Sequence, residues 1–294
     1  MVKNFFAFRD YIALSKPRIS FFCVIMAAGG LVLSPENVTL FKSIIALLGI
    51  AFAVASANAL NMIYEKDTDK LMLRTRLRPL ASGRIHVVHA VFFAVVLWMI
   101  SAFLLIRYVN SLTALLASLA ILGYSFLYTP LKFKTPLALV VGAVPGAMPP
   151  LLGWTAANNR IDLVGIILFL ILFTWQMPHF IAIAIYHKQD YARAGIRVVS
   201  LVRGDRVAKR QAFLWTICLF FMSMLLIPLK VAGVIYFLCV FLLGVWFLYL
   251  SFLGLKKHSV ASWPRRFFVA SLVYLPLLVL ALVVDRFFIL MFGM

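Results

Sequence analysis

Nine long gaps between charged residues constrain this chain more than any other feature: no Asp, Glu, Lys or Arg occurs at 19–35, 43–64, 85–106, 108–131, 135–159, 163–187, 211–229, 231–255 or 267–284. Each gap is 17 residues or longer, and about 20 apolar residues in a helix cover the roughly 30 Å hydrocarbon layer of a bilayer while satisfying their own backbone polar groups. With 65% hydrophobic and 13% charged residues among 294, a soluble enzyme is excluded. The expected fold is all-α: a polytopic membrane protein of nine transmembrane helices forming a single domain over 1–294, without a flexible linker or low-complexity segment.

The net charge of +19 is distributed lopsidedly. Of 28 Lys and Arg residues, 23 fall in the N-terminal segment or in the connections after spans two, four, six and eight; the other five are Lys42, Arg107, Arg160, Lys230 and Arg286. The positive-inside rule then places the N-terminus and the even-to-odd connections in the cytoplasm and the C-terminus in the periplasm. Topology accounts for these cations, so no nucleic-acid partner is implied; the lipid bilayer is the partner that composition demands. The first residues show neither a signal-peptide cleavage pattern nor a transit-peptide composition, which makes a bacterial inner membrane the expected location. Cys23, Cys218 and Cys239 lie in separate apolar spans and read as packing residues.

Chemistry is expected on the inner side, where the longest polar connections lie at 65–84 and 188–210. Four helices separate them, which suits a weak duplication of a four-helix unit. At the inner end of span two, Asn58, Asn61, Glu65 and Asp69 fall on one helical stripe at 100° per residue, with Asp67 pointing elsewhere. Carboxylates at i and i+4 repel, so a cation must compensate them. Mg²⁺, a hard ion that takes oxygen ligands, is one candidate. A solvated helix end whose acids pair with Lys66, Lys70 and Arg74 is the other.

Basic residues follow directly: Arg74, Arg76, Arg78 and Arg84, then Lys132 and Lys134. They fit either a polyanion such as a diphosphate or the ordinary basic bias of inner loops. The inner end of span six reads Trp175-Gln-Met-Pro-His-Phe180, with His187 and Asp190 beyond. Pro178 is expected to break the backbone ladder beside His179, and an approximately continuous helix would bring His179 and Asp190, 11 residues apart, to one face. An ionisable group in a span is a functional suspect, yet a single His near an interface is equally a hydrogen-bonded scaffold; His86, His89 and His258 take that plainer reading. The stretch from Gly142 to Trp154, rich in Gly and Pro, fits close helix packing or the approach of a flat ligand.

Taken together, these residues resemble the UbiA superfamily of intramembrane prenyltransferases, and within it the protohaem IX farnesyltransferase branch. The stripe Asn61-x-x-x-Glu65-x-x-x-Asp69 is similar to the superfamily's Asn-x-x-x-Asp-x-x-x-Asp motif, with Glu in place of the first Asp. The branch is resembled by Asp10-Tyr-Ile-Ala-Leu-Ser-Lys-Pro-Arg18, Arg74-Thr-Arg-Leu-Arg-Pro-Leu80, Tyr128-Thr-Pro-Leu-Lys132, Gly146 to Trp154, Trp175-x-x-Pro-His-Phe180 and Asp190-Tyr-x-x-Ala-Gly195. The chain departs from the pattern at Phe133, where an Arg is usual, at Ala138 for Asn, at Gly142-Ala143 for a Gly pair, and at Arg197 to Ser200 for Pro-Met-Leu-Pro.

The resemblance implies transfer of farnesyl from farnesyl diphosphate to a vinyl group of haem B, with water added, giving haem O and diphosphate. It further implies hand-off of haem O to a haem A synthase or a terminal oxidase. It makes Asn61, Glu65, Asp69 and Asp190 the catalytic, Mg²⁺-binding set and Arg74, Arg78, Lys132 and Arg197 the diphosphate-binding cations, with His179 and Trp175 serving the haem. Two alternatives remain at this stage: a quinone-precursor prenyltransferase of the same superfamily, and a small-solute transporter, whose acids would be expected nearer the bilayer midplane.

Overall fold

The computed structural model describes residues 2–256 and 260–292; His258 lies outside them. The described chain is helical throughout: α1 (Val2–Leu14), α2 (Pro17–Val32), α3 (Leu40–Leu71), α4 (Val87–Tyr108), α5 (Ser111–Leu122), a π-helical segment (Gly123–Tyr128), α6 (Thr129–Leu131), α7 (Ala138–Gly146), α8 (Met148–Asn158), α9 (Leu163–Tyr186), α10 (Lys188–Arg193), α11 (Val199–Val202), α12 (Asp205–Met224), α13 (Val234–Leu253) and α14 (Trp263–Phe292). Among the described residues, seven helical spans are long and apolar enough to cross a membrane, and the bent pair formed by α1 and α2 makes an eighth. The remaining expected span, the seventh at 211–229, falls on α12. That helix begins six residues earlier with Asp205, Arg206, Lys209 and Arg210, and it gives way after Met224 to turns through Lys230, so its apolar part is short.

Two compact units divide the chain, one of 1–160 with 189–197 and one of 161–188 with 198–294. In the first, α3 packs along α4, and α2 lies between α3 and α8. Thr39 caps α3, accepting the Lys42 N–H at 3.3 Å, and the helix runs for 32 residues, about 12 more than a bilayer crossing needs. The surplus is polar and carries Glu65 to Asp69. The connection expected at 65–84 therefore starts as helix and becomes a series of turns only after Leu71.

The Gly- and Pro-rich stretch resolves into close packing. A Cβ added at Gly30 would lie 2.1 Å from the Pro150 carbonyl oxygen, and one at Gly153 would lie 1.8 Å from that of Ala27. Two helices thus meet backbone to backbone, each with a glycine at the crossing.

In the second unit α9 packs against α12 and α14, and α13 lies between α12 and α14. Asp162 caps α9 through the Gly165 N–H at 3.1 Å. Pro178 leaves the ladder one hydrogen bond short, as a residue without an N–H must, while the helix itself continues to Tyr186, held straight through by its packed neighbours. The break comes at His187, with φ −102° and ψ 27°, so His179 and Asp190 sit on two separate helices. Asp285 is 2% exposed on α14 and accepts the N–H groups of Gly233 and Tyr236. It supplies the cap that Gly233 itself cannot offer to α13.

Gly153→Ala and Gly30→Ala are each expected to destabilise the purified protein by about 1–3 kcal/mol, the cost of overpacking a tight contact. Gly123→Ala, where an added Cβ meets open space, should leave thermal unfolding in detergent unchanged or slightly raised. Equal melting temperatures for all three variants would contradict the crossing.

Candidate active site

The helical period of α3 determines which side chains meet. Asn58, Asn61, Glu65 and Asp69 are all buried, at 5%, 1%, 7% and 0% exposure, while Asp67 is solvated and pairs with Lys70 at 2.8 Å. The stripe is therefore not a solvated helix end, and Lys66, Lys70 and Arg74 do not neutralise it. Its cations come from elsewhere in the chain. Arg78 donates from Nη1 to Asp69 Oδ2 at 2.8 Å and Oδ1 at 3.0 Å, and reaches Glu65 Oε2 at 3.3 Å. Lys132, buried behind α6, donates to Glu65 Oε1. Lys16, at the bend between α1 and α2, donates to Asn61 Oδ1 at 2.7 Å. Three cations thus face two carboxylates, which leaves the cluster with a surplus positive charge suited to an anionic ligand.

Asn61 links these groups. Its Nδ2 donates to Glu65 Oε1 at 2.6 Å and to Thr129 Oγ1 at 3.1 Å. Thr129 is in place because the π-helical segment before it widens the helix by a residue and turns its hydroxyl inward; such segments recur at functional sites. Asp190 joins the same unit from α10. It is 9% exposed, its Oδ1 accepts the Leu73 N–H at 3.4 Å, and Arg193 Nη1 lies 3.6 Å away. Among the described residues no three His, Cys, Asp or Glu side chains converge as a ready-made metal cage; the acids are engaged with the cations just named.

Of the other expected phosphate ligands, Arg74 is exposed and lies near Tyr191, whose phenol burial lifts above its ordinary value against the pull of that guanidinium. Arg197 donates its backbone N–H to the Lys132 carbonyl at 3.0 Å and a guanidinium hydrogen to that of Lys134 at 3.3 Å. Lys16 and Thr129 were not singled out from the sequence. Lys16 belongs to a Ser-Lys-Pro-Arg run that doubled as a topology signal, and Thr129 needed the π-helical register to reach the stripe.

In the second unit His179 stacks on Trp175, with centroids 4.6 Å apart and planes 21° from parallel. Its Nδ1 is 2.7 Å from Ser271 Oγ, whose single hydrogen goes to the Phe268 carbonyl at 2.6 Å. Ser271 must then accept from His179, which assigns the imidazole proton to Nδ1 and leaves the lone pair on Nε2. His179 therefore does not cap the backbone that Pro178 frees.

The UbiA prenyltransferase family matches residues 21–272. The chain belongs to that family. Among similar proteins are the protoheme IX farnesyltransferase of Myxococcus xanthus (strain DK1622), 44% identical over 277 residues and 94% of each chain, and that of Legionella pneumophila (strain Lens), 38% identical over 284 residues, 95% of this chain and 96% of the other. The fold is shared with a digeranylgeranylglyceryl phosphate synthase (TM-score 0.80, 19% identity, 97% of this chain and 99% of that one). It is shared also with UbiA homologs from Aeropyrum pernix K1 (0.73, 17%, 90% and 97%) and from Archaeoglobus fulgidus, the latter bound to GPP and Mg²⁺ (0.64, 17%, 93% and 99%). The protein is thus an all-helical, multi-pass membrane prenyltransferase.

Proposed function

We propose that this chain transfers the farnesyl group of farnesyl diphosphate to a vinyl group of protohaem IX, with water added, giving haem O and diphosphate. The observation that carries the diphosphate half is the buried stripe of Glu65 and Asp69 bordered by a surplus of cations. The acceptor is supported by the relatives at 38–44% identity, which bear the name protoheme IX farnesyltransferase.

The donor set suits Mg²⁺: the carboxylate oxygens of Glu65, Asp69 and Asp190 are hard and buried, and Glu65 and Asp69 lie one helical turn apart. Glu65 and Asp69 would hold the ion from α3 and Asp190 from α10, although no three acids among the described residues converge on one point as they stand; when bound it would neutralise part of the diphosphate charge and polarise its oxygens. Arg78 and Lys132, within reach of the same carboxylates, bind the remaining diphosphate charge and stabilise what develops as the allylic C–O bond breaks. Arg74 and Arg197 extend the basic border of the site. The vinyl carbon then forms the new bond to farnesyl, and water adds to the carbon beside the porphyrin ring with loss of a proton. Until then the allylic cation must be kept from water, which an apolar intramembrane setting does. Trp175, stacked on His179, serves the porphyrin by holding that imidazole, and His179 Nε2 carries the lone pair that haem iron takes.

Membranes from cells expressing the chain, given farnesyl diphosphate, Mg²⁺ and haem, should yield haem O by pigment chromatography. Asp69→Asn should abolish it while the protein stays folded, and Asp67→Asn, off the stripe, should be mild. Asp69→Asn activity within about threefold of wild type, under 1 kcal/mol of barrier, would remove Asp69 from the site; prenylation of an aromatic acid in place of haem would overturn the acceptor. His179→Ala should weaken haem binding and shift its Soret band with farnesyl diphosphate binding intact. An unchanged haem spectrum with a lower melting temperature would leave His179 as scaffold alone.

We also propose that the site faces the cytoplasm, as the partition of basic residues requires. In a chain freed of its native cysteines, Leu77→Cys should resist an impermeant thiol reagent added to intact cells and Ile161→Cys should react; both positions are exposed. The reverse pattern would invert the topology.

A further inference from the structure

Lys16 occupies a backbone position that suits glycine better. At the 50° bend between α1 and α2 it has φ 47° and ψ 65°, a left-handed conformation that side chains with a Cβ rarely adopt. Neighbouring contacts hold the bend in place. Asn58, one turn before Asn61 on α3, donates to the Ser15 carbonyl at 3.2 Å and to Ser20 Oγ at 3.4 Å, and the Lys16 carbonyl accepts the N–H groups of Ile19 and Ser20 at 2.9 and 3.1 Å. What this conformation achieves is the aim of the side chain, whose Nζ reaches Asn61 Oδ1 at 2.7 Å.

An ammonium group only donates, so the Asn61 atom facing it must be the amide oxygen. The amide nitrogen then faces Glu65 Oε1 at 2.6 Å and Thr129 Oγ1 at 3.1 Å. Thr129 spends its own hydrogen on the Tyr124 carbonyl at 2.7 Å, so it can only accept from Asn61. Turning the amide over would set its NH₂ against the ammonium and its oxygen against a carboxylate. One orientation is therefore enforced from both ends.

We propose that Lys16 is a positioning residue: by fixing the Asn61 amide it aims the Glu65 carboxylate, and Asn61 serves as a hydrogen-bond donor to that carboxylate rather than as an oxygen ligand of the cation. The proposal rests on Glu65 belonging to the diphosphate site. It separates the three residues by role, since Glu65 meets the ligand while Lys16 and Asn61 act through Glu65.

A double-mutant cycle tests it. Lys16→Met, Asn61→Leu and the double variant of the full chain are titrated calorimetrically with farnesyl diphosphate and Mg²⁺, haem withheld so that nothing turns over. Each single change should weaken binding about tenfold, as loss of a group orienting a ligand does. The double should also lose about tenfold, because both changes remove one arrangement. The Mg²⁺ concentration for half-maximal binding should rise alike in all three. Losses that multiply to about a hundredfold would mean that Lys16 acts on the diphosphate directly and would overturn the proposal, as would an Asn61→Leu loss far larger than that of Lys16→Met. So would a lowered melting temperature with the Mg²⁺ requirement unmoved. If Lys16→Met does not fold, Lys16→Gln takes its place in the cycle. A wild-type chain that binds no farnesyl diphosphate would sink the functional reading itself, and the proposal with it; additive losses on a wild type that binds would sink the proposal alone.

Discussion

Two carboxylates one helical turn apart on a buried face cannot remain charged without cations, because removing one partner of a buried ion pair costs about 3–5 kcal/mol. Glu65 and Asp69 impose that demand on everything around α3. The helix cannot meet it, since its own Lys66 and Lys70 lie off the stripe and Lys70 is taken by Asp67. The cations must come from other segments, and three arrive: Arg78 from the turns that follow α3, Lys132 from the end of α6, and Lys16 from the bend before α2. The α1–α2 bend, the folded-back segment after Leu71 and the π-helical widening before Thr129 are local irregularities with a common purpose, which is to deliver charge and hydrogen bonds to one stripe.

This also explains what could be read in the sequence. The stripe itself was legible, because a helical period of 3.6 residues places i, i+3 or i+4, and i+8 together whatever the tertiary fold. The need for compensating charge was legible too. Which cations answer it was only partly so: Arg78 and Lys132 were named among several basic residues, while Lys16 was not, because a positive-inside bias hides any individual lysine that has a second role. The two explanations of a basic loop are not exclusive, and charge counting sees only the first.

The span count shows the same boundary between pattern and packing. Gaps between charges identified nine apolar runs, and the fold has a helix at each. Their ends depend on caps and tertiary contacts that a gap does not record: Thr39 starts α3 three residues before Lys42, and α12 begins inside a charged segment. Pro178 sits inside a helix for a related reason. A proline removes one hydrogen bond, but α9 is packed against both α12 and α14, and Trp175 and His179, on either side of the proline, are tied to α14 through Ser271. The helix instead ends nine residues later at His187, where no proline announces it.

Two of the departures from the family pattern, Phe133 and Arg197, are connected in space although they are separate in sequence. Phe133 stands where an Arg is usual, and the ring it offers instead lies 5.1 Å from Lys132 Nζ, a cation–π contact that helps to hold the ammonium which Glu65 accepts. Arg197 replaces the first proline of a second motif. A proline there would have no N–H, whereas the Arg197 N–H bonds the Lys132 carbonyl at 3.0 Å and its guanidinium reaches the Lys134 carbonyl at 3.3 Å. Arg197 thus clasps the backbone on both sides of Phe133, so the guanidinium absent at position 133 is matched by one bound next to it. A change of charge at one position and a change of backbone chemistry more than sixty residues away amount to a single local rearrangement, centred on the lysine that neutralises Glu65. Each departure looks damaging when judged position by position; judged by what surrounds Lys132, together they keep the positive border of the site.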